Sequence, residues 1–190
     1  MLTRALAFLL ETFLGLFALA LLLRFYMQLL RAPARNPLST FLAALTDWIV
    51  VPARRVIPGL FRTDLSTLVL AWLTELVLLC ALTLLRGLGT GKLAALPLLG
   101  LAAVVEVVKL SIYILMVAVI AQAVLSWVAP YSPAMPVLNS FTRPFLVAFS
   151  KRIPPVGNVD LSPIFVIVSC QLALFLVDWV GGGLLRAAAG

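Results

Sequence analysis

Four apolar runs constrain this chain more than any other feature: residues 5–30, 65–85, 101–128 and 161–180. Each is near or above the ~20 residues a helix needs to cross the hydrocarbon core of a bilayer. Lipid offers no water to unpaired backbone N–H and C=O groups, so every such run must be helical. The chain is 64% hydrophobic and 11% charged, against about 45–50% and about 25% in soluble domains. The expected fold is therefore all-α membrane, with four transmembrane helices. Arg4 ahead of an apolar stretch containing Ala18 and Ala20 has the look of a secretory signal. The run is longer than the ~7–15 apolar residues of such signals, so it is expected to stay as a span.

The residue inventory excludes much chemistry. The chain has no histidine, and Cys80 and Cys170 both lie inside apolar runs. Imidazole acid–base catalysis, His/Cys zinc sites and haem ligation by histidine are set aside. Asp64, Asp160 and Asp178 fall near span ends, not at mid-membrane where an aspartyl protease would need them. No P-loop, glycine-rich nucleotide motif or CxxC is present. No enzyme activity, cofactor or metal is expected. The net charge of +7 would suggest nucleic acid on a soluble protein. Here the basic residues are spread over the loops, where they anchor spans against an anionic leaflet, and no nucleic-acid partner is expected.

Between the first two runs, Pro37, Pro52 and Pro58 break the chain too often for one spanning helix. Phe41 to Val51 is apolar with Thr46 and Asp47 set into it, a pattern that lies in the membrane interface as an amphipathic helix or dips in and returns. Residues 86–97, with Gly87, Gly89 and Gly91, are expected to be a plain loop, and the tail from Gly181 to Gly183 onward is expected to fray.

A shift of 96 residues lays one interspan segment on the other. Nine of the thirty positions from 37 to 66 are identical, including Pro37/Pro133, Thr46/Thr142, Ile57-Pro58/Ile153-Pro154 and Asp64-Leu65-Ser66/Asp160-Leu161-Ser162. Apolar sequence aligns by chance, but prolines, Asp and Ser do not fall readily into register with it. The organisation expected is repeat 1 over 1–85 (interfacial segment 37–64), a linker over 86–97, and repeat 2 over 98–190 (interfacial segment 133–160). Two spans per repeat make the copies parallel, with both interfacial segments on one side. That side holds Arg31, Arg35, Arg54, Arg55, Arg62, Arg143, Lys151 and Arg152, against Arg4, Arg86, Lys92 and Arg186 opposite. The positive-inside bias puts the long segments in the cytoplasm and the termini outside.

These residues resemble the YggT family of small bacterial and plastid membrane proteins. The carriers are Arg35-Asn36-Pro37, Thr46-Asp47, Pro52-Ala53-Arg54-Arg55-Val56-Ile57-Pro58 and Asp64-Leu65-Ser66, then Thr142-Arg143-Pro144, Arg152-Ile153-Pro154-Pro155-Val156-Gly157 and Asp160-Leu161-Ser162-Pro163. The first copy departs from the family pattern at Asp47-Trp48 and at Gly59-Leu60-Phe61-Arg62. The resemblance implies an inner-membrane protein of a group linked to osmotic or ion homeostasis, cell-division gene neighbourhoods and plastid cytochrome assembly or nucleoid organisation. It implies no settled activity.

Candidate sites follow from where polar residues sit. Glu75 and Gln171 are equivalent mid-span positions; a carboxylate there costs at least about 2.5 kcal/mol on insertion scales and should face the bundle interior. They are expected at equal heights, clamped together across the helix interface or forming an ion site. Glu106 and Lys109 can pair at i,i+3 on one helix face, Glu11 stands at nearly the same place in repeat 1, and Arg24 can snorkel from the end of the first span. Arg54, Arg55, Lys151 and Arg152 are candidates for anionic lipid or an acidic partner. Asp64 and Asp160 precede helix starts, with Ser66 and Ser162 as caps, and Pro58 and Pro154 fix the exits of the interfacial segments. The expected function is a non-enzymatic membrane scaffold or assembly factor working with anionic lipid, cell-division or assembly proteins, and other copies of itself. The alternative is a small oligomeric channel or transport-associated protein.

Overall fold

The computed structural model describes residues 1–33, 36–57, 64–85, 96–151 and 161–189. Among them there are six helices and no strand: α1 (Leu2–Leu29), α2 (Pro37–Val56), α3 (Leu65–Leu85), α4 (Leu96–Val128), α5 (Met135–Ser150) and α6 (Ser162–Ala189). Four are long and apolar enough to cross a membrane: α1, α3, α4 and the Ser162–Leu184 part of α6. They mark a multi-pass membrane protein.

The ends of α1 and α2 show how local sequence sets the turn between them. Ala32 N donates to Met27 O and Arg31 N to Gln28 O, the paired closing bonds of a Schellman motif. The motif needs a left-handed residue, and Arg31 supplies it at φ 52°, where glycine is the usual occupant. α2 then starts on a capping box. Asn36 Oδ1 accepts from Ser39 N at 2.8 Å, and Asn36 N donates back to Ser39 Oγ. Pro37 occupies the first turn, where no N–H is needed. The helix continues through Pro52, with the carbonyl four residues back left without its donor.

α1 packs chiefly on α3, α4 chiefly on α6, and α3 against α4 joins the two pairs. One apolar cluster runs through five helices, from Leu21 and Leu22 of α1 through Leu42 and Val50 of α2 and Ala71 of α3 to Ile114 of α4 and Phe141 of α5. A smaller one, around Val119, Val166 and Cys170, joins α4 to α6. α3 thus has spans on two sides. α6 packs on α4 and α5, and α4 stands between α3 and α6. α2 and α5 gather at one end of the bundle, where Leu38 of α2 and Val137 and Leu138 of α5 line a common groove with α1 and α4.

Two boundaries differ from expectation. α4 starts at Leu96, inside the expected loop, with Pro97 in its first turn, where proline is tolerated. α6 does not fray at its glycines. A Cβ built on Gly181 would stand 3.0 Å from Val105 Cγ1, so the bare backbone lets α6 close on α4, and Arg186 Nε donates to Gly182 O at 2.9 Å. Leucine at 181 has no room there. Gly181→Leu should weaken the α4–α6 contact by about 1–3 kcal/mol, read as a lower unfolding midpoint in a mixed-micelle titration, whereas Gly183→Leu, where nothing lies near the added atom, should leave the midpoint unchanged.

Candidate functional site

Polar side chains inside the bundle concentrate in two places. The first is a cluster of ionisable groups on three spans. Glu75 sits midway along α3 and is 5% exposed, within electrostatic reach of Glu106 and Lys109 on α4. Lys109 Nζ lies 2.9 Å from Glu106 Oε1 on its own helix and 3.0 Å from Asp178 Oδ1 on α6. One ammonium therefore ties α4 to α6 and faces three carboxylates. In hydrocarbon a charged side chain is tolerated only with such partners.

The pairing of Glu106 with Lys109 is as expected from their spacing. The pairing of Glu75 with Gln171 is not found. Gln171 is exposed on α6, since α4 separates the two helices and the buried stripe of α6 runs through Ser162, Val166, Cys170 and Leu174. Asp178, read from the sequence as a span-end charge, was the partner missed. An ammonium has three donors, so a Lys109 paired once within a span called for another acceptor, and Asp178 is the one carboxylate in α6.

The second place is the end of the bundle that holds α2 and α5. Thr46 and Thr142, fully buried, face the spans that precede them. Arg24 of α1 donates through Nη1 to Thr46 Oγ1 at 2.7 Å and pairs at 2.7 Å with Asp47. Thr46 Oγ1 in turn donates to Leu42 O at 2.6 Å. In the second copy the Thr142 hydroxyl bonds to Gln122 Oε1 and lies 2.9 Å from Leu138 O, while Gln122 Nε2 donates to Asn139 Oδ1 at 2.7 Å. Arg24 is thus fixed inward and does not snorkel. Gln122 was not singled out in the sequence; the signal was its place ahead of a threonine identical in both repeats.

At the far end of α2, Asp64 accepts from Ser66 N at 3.2 Å and pairs with Arg54. The cap of α3 is therefore Asp64, and Ser66 lies within the first turn, its hydroxyl donating to Ile57 O at 3.2 Å. Arg54 spends its charge on this bridge. Arg55 and Lys151 are exposed, and Ser162 is buried at the start of α6. Pro58, Arg152, Pro154 and Asp160 lie outside the described residues.

Two clefts open at this end. One, of about 690 Å³, is lined by Arg24, Gln28, Arg31, Ser39 and Thr40. The other, of about 600 Å³, is lined by Asn139, Ser140 and Arg143 with Leu30 and Val147. Beside the second, sharing Leu30, runs a groove of about 380 Å³ between Tyr26, Leu29, Ile112, Leu115 and Phe145.

The CCB3/YggT family model matches residues 3–85 and 101–180, two segments that each carry a span, a short helix and a span. The chain belongs to the CCB3/YggT family. It is 39% identical over 178 residues to an uncharacterised protein of Pseudomonas aeruginosa, covering 93% of this chain and 89% of that one. It is 30% identical over 164 residues to the uncharacterised protein YggT of Escherichia coli K12, covering 86% and 84%. No solved structure matches. The two matched segments of this YggT chain start 98 residues apart, the same offset that separates Arg24 from Gln122. The threonines they hold, Thr46 and Thr142, are 96 residues apart, so the two repeats place the same kind of contact at closely corresponding positions.

Removing one partner of the Lys109 cluster leaves carboxylates without their cation. Lys109→Met should destabilise the YggT chain by about 3–5 kcal/mol in mixed micelles. Combining it with Glu106→Gln and Asp178→Asn should restore most of the loss, and a loss that persists in the triple variant would mean that the stem of Lys109 matters more than its charge.

Proposed function

We propose that this YggT protein is a non-enzymatic scaffold of the inner membrane, which holds anionic phospholipid head groups at the end of the bundle formed by α2 and α5. In this reading α2 and α5 are amphipathic helices lying in the cytoplasmic interface, and the bound lipid, with any protein docked beside it, is what the scaffold presents. One observation carries the reading. Arginine-bearing, hydroxyl-lined clefts open at the very end where the basic residues collect, and an apolar groove that shares Leu30 with one of them runs beside it. Arg31 adds weight, because it lines the first cleft from a left-handed position, φ 52°, where glycine is the usual occupant. Among the described residues neither Arg31 nor Arg143 has a carboxylate partner.

The test is the phospholipid retained by detergent-purified protein, measured by mass spectrometry. Phosphatidylglycerol should be enriched over phosphatidylethanolamine relative to the source membrane. Each of Arg31→Gly and Arg143→Ala should lower that enrichment about fivefold, at about 1 kcal/mol per cation near an anionic surface. Glycine suits the left-handed position, so Arg31→Gly keeps the fold and isolates the charge. A retained lipid mixture equal to that of the membrane, in wild type and variants alike, would sink the reading.

A second reading, a small oligomeric transport protein, is favoured by the buried Glu75 beside the Lys109 cluster. Its test is ion flux into proteoliposomes: flux present with wild type and lost in Glu75→Gln supports transport, and no flux from either across several ions and pH values removes it.

A further inference from the structure

The ionisable cluster holds more carboxylates than its one ammonium can serve. Lys109 bonds Glu106 on its own helix and Asp178 on α6, and among the described residues no ion pair joins it to Glu75. No described residue donates a hydrogen bond to the Glu75 carboxylate either, although its side chain is almost wholly enclosed and within electrostatic reach of Glu106 and Lys109. The other helices packed on α3 bring it no cation. Arg24 of α1 pairs with Asp47 and Arg54 of α2 with Asp64, while Arg4 and Glu11 of α1 and Arg55 of α2 are exposed. A carboxylate enclosed without a cation of its own neutralises by taking up a proton. The arrangement does not suit a metal ion: among the described residues no three acidic or sulfur side chains stand close enough together to hold one.

We propose that Glu75 reversibly binds a proton inside the membrane, reached from the Asp178 side of the cluster. Side-chain exposure falls in that direction, from 56% at Asp178 to 26% at Glu106 and 20% at Lys109, with Glu75 innermost. By the helical rise Asp178 stands about 9 Å short of Leu184, where the span ends. The cluster therefore opens towards the end of the bundle opposite α2 and α5. One turn back along α3, towards α2, Leu70 and Ala71 close the way together with Leu21 and Leu22 of α1. Enclosed acids near other ionisable groups are the material of proton sites in membranes. The step is a protonation alone: the carboxylate takes one proton from water and becomes a neutral acid, and release returns it. With the proton off, Glu75 and Glu106 repel across the α3–α4 contact, which joins the two repeats; with it on, that repulsion is gone. The inference rests on the site named in the second reading but not on ion flux, so a proton site without flux keeps it and removes transport.

Dicyclohexylcarbodiimide, which enters lipid and attacks carboxyl groups in their protonated form, tests it on the wild-type chain in native membranes. Mass spectrometry of the labelled protein should find the adduct on Glu75 at neutral pH, with labelling falling as the pH is raised. Glu106 and Asp178, ionised against Lys109, should stay unlabelled. Absence of label on Glu75 from acid to neutral pH, or label on Glu106 or Asp178 in its place, would overturn the proposal. So would protection of Glu75 by added sodium at constant pH, which would make the ligand a metal cation. Coupling to the cluster is read in Glu106→Gln, which removes a like charge and frees one donor of Lys109 for Glu75. Labelling at neutral pH should fall about threefold there, and labelling unchanged from wild type would mean that Glu75 stands apart from the cluster. The wild-type readings need no variant, so a folding defect in Glu106→Gln leaves the main test intact.

Discussion

A buried threonine on each short helix, held by a polar side chain from the span before it, is the contact from which most of this architecture follows. Thr46 meets Arg24 and Thr142 meets Gln122. A helix as short as α5, 16 residues, cannot cross a bilayer, and nothing in an apolar stripe alone says how deeply it should sit. A hydrogen bond made well inside the bundle sets that depth. Because both ties are made to the same end of parallel spans, α2 and α5 gather at one end, and the clefts between them and the spans open there. The two ties use different donors and acceptors for the same mechanical result, which is why an alignment of identities passes over them.

The repeats also show how far equal sequence can diverge in environment. Position 47 of the first copy is an aspartate paired with Arg24, and its counterpart is Arg143, which lines a cleft. Glu75 is enclosed and Gln171 is exposed. The cause is placement, since α3 lies between two spans and α6 at the edge of the row. An edge span keeps only one apolar stripe covered. Val166, Cys170 and Leu174 recur every four residues on α6, while α3 buries Leu70, Ala71, Glu75, Leu78 and Leu82 over a wider arc.

Span number, helical class and the short helices between spans were legible because lipid forces each of them locally, through backbone hydrogen bonding and run length. The duplication was legible in the prolines and the Asp-Leu-Ser elements. What the chain alone did not reveal is which spans touch. Pairing Glu75 with Gln171 assumed that symmetry-related helices meet, but in a row of helices equivalent positions are separated by the unit between them. The same gap hid the role of Asp178, whose partner lies on another helix. The continuation of α6 through its glycines was hidden for a related reason. Glycine is a poor helix former in isolation, and the backbone approach to Val105 that makes it useful is a tertiary fact.

Helix association in a bilayer has little hydrophobic drive, so an edge span needs a specific tether. On α6 that need is met by two devices at adjacent depths, the Lys109–Asp178 ion pair and the close approach at Gly181. Three of the four ionisable residues in the cluster thereby have a mechanical reason to exist: Asp178 and Lys109 hold α6, and Glu106 orients Lys109 from one turn away. Glu75 is different. α3 is already packed on α1 and α4, the equivalent residue of repeat 2 is a neutral glutamine, and no described residue donates a hydrogen bond to the Glu75 carboxylate. A buried acid that the packing does not require is the point at which scaffold and transport readings part, because a scaffold should lose nothing when that one charge is removed.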